Sequence, residues 1–176
     1  MHALPLPQAG QLLLLTAPHP FLKQAIPPLL AQLALSGGLR ILDGGNSFQA
    51  HAVTRCLRRQ TMDVRRTLED IQIARAFTCY QVLSLLEQTP CGGTPTFGLE
   101  LLTTFADESV NYRERKRLLE HCIAHLQRLS QAAPVAISAS TPAPGAPSDW
   151  LRRLEARVDR VWKLEPPTHA HPIRLL

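Results

Sequence analysis

The apolar positions fall into short continuous runs separated by longer stretches in which they recur at helical spacing. Leu12–Leu15 is a fully apolar run bounded by Gly10 and Pro18, the pattern of a buried strand. Pro18 and Pro20 predict an irregular loop, and the pair Pro27-Pro28 predicts the first turn of a helix over 27–36. Leu29, Leu30 and Leu33 share one stripe of that helix, which Gly37-Gly38 ends. Leu39–Leu42 predicts a second strand, followed by the turn Asp43-Gly44-Gly45-Asn46. Residues 50–59 read as a helix, 68–71 as a helical turn, and Ile71–Phe77 as a third strand. Thr78 is the expected N-cap of a helix through Glu87, and 90–96 is a Gly/Pro loop.

The second half repeats the alternation. Phe97–Phe105 predicts a fourth strand. A long helix over 111–129 follows, carrying Leu119, Cys122, Ile123, Leu126 and Leu129 on one face. Pro134–Ser138 predicts a fifth strand, Asp149–Glu155 a short helix, and Arg157–Leu164 a last alternating strand. Ser140–Ser148 is a low-complexity loop. Short apolar strands alternating with helices define an α/β fold with a mostly parallel sheet. Residues 1–165 are expected as one domain and 166–176 as a Pro/His-bearing tail. Ligands of such sheets sit beyond the carboxyl ends of the strands. Those ends are the loops Thr16–Lys23, Asp43–Phe48, Phe105–Glu108 and Ser138–Ser148.

Composition narrows the class. The chain has 176 residues, of which 45% are hydrophobic, which excludes global disorder and is enough for a core without staples. Fifteen prolines exceed the roughly 5% of an average chain. Nineteen basic against 14 acidic residues give a net charge of +5, compatible with an acidic partner or nucleic acid. Cys56, Cys79, Cys91 and Cys122 form no CxxC pair and are read as reduced thiols. No apolar run approaches a membrane span and no basic leader precedes one, so a cytoplasmic location is expected.

The segment Ile73-Ala74-Arg75-Ala76-Phe77-Thr78-Cys79-Tyr80-Gln81 is similar to the strand-to-helix segment of archaeal and eukaryotic recombinases. Ile41-Leu42-Asp43-Gly44-Gly45-Asn46-Ser47-Phe48 resembles their second strand end, and the order of elements over about residues 10–165 resembles the RecA/RadA-type P-loop ATPase core. The resemblance implies a single-domain RecA-like three-layer sandwich.

The residues that would handle ATP depart from that family. A Walker A loop needs glycines to bring backbone N–H groups to phosphate, a Lys, and a Ser or Thr for magnesium. The aligned stretch is Ala17-Pro18-His19-Pro20-Phe21-Leu22-Lys23-Gln24, in which only Lys23 matches. The water-orienting Glu of the family corresponds to Gly45, with Asp43 nearby as either a base or a turn former. No acid ends the apolar run Leu101–Phe105. Asp107 and Glu108 follow it, either as metal-shell acids or as acids in the first turn of the next helix.

Lys23, Asp43 and Asp107 are therefore the candidates for a vestigial nucleotide site, and no bound cofactor is expected. The resemblance points to a non-catalytic accessory subunit in DNA recombination or repair, with a protein partner such as another RecA-fold subunit. Two rivals stand beside it: an atypical ATPase using those three residues, and a regulatory protein like the RecA-fold cell-division inhibitors, which binds protein without DNA. Arg55, Arg58, Arg59, Arg65 and Arg66 are the candidate DNA-contacting residues. Arg113-Glu114-Arg115-Lys116-Arg117 is a second basic run. His121 and His125, and His169 with His171, lack the further ligands a zinc site needs. The 140–148 loop falls where recombinases face DNA but lacks aromatic and basic residues.

Overall fold

A computed structural model describes residues 6–142 and 149–164. The fold is a three-layer α/β sandwich around six parallel strands, consistent with the RecA-like arrangement expected from the sequence. The strands are β1 (Leu12–Pro18), β2 (Leu39–Asp43), β3 (Ile71–Arg75), β4 (Thr96–Leu99), β5 (Val135–Thr141) and β6 (Arg160–Lys163). Their order across the sheet is β3-β2-β4-β5-β1-β6. The helices are α1 (His19–Ala34), α2 (Ala50–Leu57), α3 (Val64–Glu69), α4 (Cys79–Gln88), α5 (Tyr112–Ser130) and α6 (Asp149–Glu155), with a 3-10 helix over Leu101–Ala106.

The run Leu12–Leu15 shows why the central strands are apolar throughout. Strand side chains alternate between faces. Leu13 and Leu15 pack under α1, α2 and α3, with Leu29, Leu30, Val53, Leu57 and Phe97. Leu12 and Leu14 pack under α4, α5 and α6, with Leu86, Phe105, Ile123 and Leu126. A strand covered on both faces has no polar side to show. The edge strand β3 is only partly covered and leaves Ile73 43% exposed. Among the described residues no helix is long and apolar enough to cross a membrane.

Two differences from expectation bear on the site. The stretch 18–26 is not an irregular loop: β1 ends at Pro18 and α1 begins at the next residue. Pro20 lies in the first turn, where a missing N–H breaks no helical bond. Pro27 and Pro28 sit inside the helix rather than at its start. Pro27 leaves the Lys23 carbonyl without its helical donor, and the Gln49 side-chain amide donates to it instead at 3.0 Å. Leu22, Ile26, Leu29, Leu30 and Leu33 form the buried stripe that holds this helix despite its prolines.

The fourth strand also ends early. β4 stops at Leu99 and does not run to Phe105, because Glu100 takes a left-handed conformation with φ 46°. The apolar residues Leu101 and Phe105 reach the core from the 3-10 helix instead.

Candidate functional site

The carboxyl ends of β1, β2, β4 and β5 surround a cavity of about 220 Å³. His19 and Lys23 enter it from α1, Gly45–Gln49 from the loop after β2, Glu100 from the end of β4, and Ser138 from β5. Leu22, Ile26, Pro27 and Leu30 give it an apolar wall. This is where parallel α/β sheets place ligands.

Glu100 is the chemical centre of this cavity. Its residue surface is 6% exposed. Its backbone N–H donates to the Ser138 carbonyl and to the Ser138 hydroxyl, both at 3.2 Å. Its carbonyl accepts the Thr103 hydroxyl at 2.7 Å. These bonds hold a non-glycine residue in a conformation that costs about 1–3 kcal/mol. One carboxylate oxygen, Oε2, accepts the Ser140 amide at 3.0 Å. The other, Oε1, is buried and has no hydrogen-bond partner among the described residues. The Ser47 hydroxyl, in the loop after β2, is buried and unpartnered in the same sense. His19 touches the rim, with Nδ1 3.3 Å from the Ser140 hydroxyl.

The three residues of the expected vestigial site do not converge. Lys23 lines the cavity from an exposed position on the second turn of α1. Asp43 is buried, and both of its oxygens are engaged: Oδ1 accepts the Ser47 amide at 2.9 Å and Oδ2 the Phe48 amide at 3.1 Å. The Arg75 guanidinium stands 3.7 Å from the same Oδ2. Asp43 thus latches the loop that forms one wall of the cavity. Asp107 is exposed in the turn before α5, outside the cavity lining and outside that helix, which is capped by Asn111. Its oxygen accepts the Ser109 amide at 2.9 Å, and hydrogen bonding from Ser109 holds its carboxyl below the usual range. Glu108 shares this exposed turn.

Sequence reasoning passed over Glu100 because it lay inside an apolar run read as one strand. The available signal was the acid itself: a carboxylate in the middle of a buried strand has no partner, whereas at a strand end it has a place.

The segment resembling recombinases forms the corner between β3 and α4. The Thr78 hydroxyl accepts the Gln81 amide at 3.2 Å, and the Gln81 side chain accepts the Phe77 amide at 2.8 Å. This reciprocal cap fixes the helix start. It leaves Phe77 68% and Tyr80 49% exposed.

Arg55, Arg58, Arg59, Arg65 and Arg66 are all exposed on and around α2 and α3. Among the described residues, Arg65 alone of the five is in an ion pair, with Glu69 at 2.9 Å. In the second basic run two of the four cations have side-chain partners. Arg115 donates to the Phe105 carbonyl at 2.8 Å and lies over the Trp150 ring, while Arg117 pairs with Glu114 at 2.8 Å. His125 faces Glu87 at 3.9 Å, and no group of three metal-binding side chains converges among the described residues. His169, His171 and residues 143–148 of the Pro-rich loop lie outside the described residues.

Compared with family models and with curated proteins, the chain matches none.

Proposed function

We propose that the chain is a non-catalytic binding subunit on a RecA/RadA-like core, a pseudo-ATPase that serves as an accessory in DNA recombination or repair. One observation carries this reading: β1 passes into α1 with no loop between Pro18 and His19. A phosphate cradle needs a run of loop N–H groups there, and Pro18 and Pro20 remove two donors from the stretch that remains. The cavity beside it, at about 220 Å³, is smaller than the roughly 300–1,000 Å³ of ordinary ligand sites.

The work of the protein then falls to its surfaces. The exposed Ile73, Phe77 and Tyr80 favour a protein partner, another RecA-fold subunit being the first to try. The arginines of α2 and α3 supply a face for DNA. If the protein partner is the whole function, the chain is a regulator like the RecA-fold cell-division inhibitors. The atypical ATPase is disfavoured because Lys23, Asp43 and Asp107 share no site.

Thermal melting with and without millimolar Mg-ATP tests the reading. A ligand that binds only the native state raises the melting temperature. The expected result is no shift, in the wild type and in Lys23→Ala alike. A saturable rise that Lys23→Ala removes would overturn the proposal and revive the ATPase.

A further inference from the structure

Met62 is the most exposed large apolar side chain among the described residues, at 102% against 68% for Phe77, the next. It stands at the tip of the turn between α2 and α3. That turn is held at both ends. The Gln60 and Thr61 amides donate to the Leu57 carbonyl at 2.8 and 3.0 Å, and Leu57 is fully buried. On the α3 side the Asp63 amide donates to the Thr61 hydroxyl at 3.1 Å, and the Asp63 carboxylate accepts the Arg66 amide at 3.3 Å. A fixed turn thus presents an apolar side chain to water, where it gains no packing.

Cations surround that tip. Residues 55–66 hold five arginines and one acid, Asp63, a net charge of +4 in a chain of +5. Arg55, Arg58, Arg59 and Arg66 are in no ion pair among the described residues. Arg58 of α2 and Arg65 of α3 line one shallow hollow between the helices, so both helices turn arginines to a common face.

One apolar tip among unpaired cations fits a double helix, where rows of phosphate flank the base edges. The minor groove is about 6 Å wide, room for a single side chain. Apolar side chains, Met among them, act there as wedges that unstack a base step. We propose that the α2–α3 turn bends duplex DNA, with Met62 as the wedge in the minor groove and Arg58, Arg59 and Arg66 on the phosphates beside it. This rests on the DNA face proposed above and adds to it a mode of contact. An anionic membrane fits less well: Gln60, Thr61 and Asp63 flank the tip, so a lone apolar side chain would insert with an acid beside it. Unstacking costs least at flexible pyrimidine–purine steps, so a TA step is the preferred site.

The probe is a short duplex with one central TA step, titrated with the full chain at low salt. It carries 2-aminopurine as the adenine of that step and a donor–acceptor dye pair at its ends. Binding should brighten the 2-aminopurine, which unstacking frees from quenching. It should also bring the ends together, since such wedges kink DNA by about 20–90°. Met62→Leu should do both. Met62→Ala should bind about threefold or more weakly and lose both the brightening and the bend. Its melting temperature should equal that of the wild type, because the side chain is fully exposed. Binding without brightening or bend, or an undiminished response from Met62→Ala, would overturn the wedge and leave the arginine face standing. No binding to the duplex at low salt would remove both, and sedimentation with phosphatidylserine vesicles in that case would assign the turn to a membrane surface instead.

Discussion

Glu100 and Gly45 divide one small space at the carboxyl end of the sheet: a Cβ on residue 45 would stand 2.6 Å from the Cβ of Glu100. The acid enters that space from β4, and the loop after β2 yields to it by carrying no side chain. Gly44 is confined in the same way, 2.8 Å from the Leu101 backbone for an added Cβ. The paired glycines, which read as a generic turn in the sequence, are the counterpart of a strained residue just past the end of another strand.

Gly45→Ala should therefore destabilise the fold by about 1–3 kcal/mol, the range for overpacking a tight interior. Gly92→Ala is the control, because an added Cβ there meets nothing within 4 Å, and it should stay within about 0.5 kcal/mol. Urea denaturation of the two variants checks this. Equal stabilities would mean that Glu100 moves aside without cost.

Asp43 and Arg75 make a second contrast. Asp43 accepts two loop amides and is buried, so Asp43→Ala leaves both donors without their charged acceptor. A loss of about 2–4 kcal/mol is expected. Arg75 is half exposed and 3.7 Å from the same carboxylate. Arg75→Ala should cost less than about 1 kcal/mol. A reversed ranking in chemical denaturation would show that the ion pair, rather than the amide bonds, holds the loop.

The fold was legible wherever local pattern decided the outcome. The apolar runs at 12–15 and 39–42 lie in β1 and β2, the run at 134–138 enters β5 at Val135, and Thr78 caps α4 as its side chain and position required. What escaped the sequence depended on partners far along the chain. The proline-bearing α1 is completed by a hydrogen bond from Gln49 to Lys23, 26 residues away. β4 ends at Leu99 because Ser138, 38 residues downstream, fixes the left-handed Glu100. A strand taken to Phe105 hides Glu100 in its middle and leaves Asp107, outside the cavity lining, as the first acid after it.

The arginine surface makes a salt-dependent prediction. If α2 and α3 face DNA, log affinity falls with log salt by about 0.9 for each phosphate contacted. Arg58→Ala/Arg59→Ala should lower that slope by about two. Arg117→Ala should leave it unchanged, because Arg117 is already paired with Glu114. Fluorescence anisotropy with a labelled duplex measures both. No binding by the wild type at low salt would remove DNA from the proposal and leave the protein partner.

The cysteines divide by burial, and the division has a pH dependence. Cys91 is exposed, with the Arg128 guanidinium 3.0 Å from its sulfur, whereas Cys79 and Cys122 lie in the core between α4 and α5. Burial raises both core thiols, and it pushes Cys122 from 9.0 up to about 12. In the folded state Cys122 therefore keeps its proton in a range where the unfolded chain has released it. Its contribution is fully present below pH 9.0 and is lost as pH rises toward about 12, by about 1.4 kcal/mol per pH unit. An aromatic disulfide reagent should modify Cys91 in the native protein and reach Cys79 and Cys122 only on unfolding. Cys122→Ala should be less stable at pH 7, because it leaves a small void, yet lose stability less steeply between pH 9 and 11. Parallel alkaline slopes for variant and wild type would show that the buried thiol ionises without opening the core.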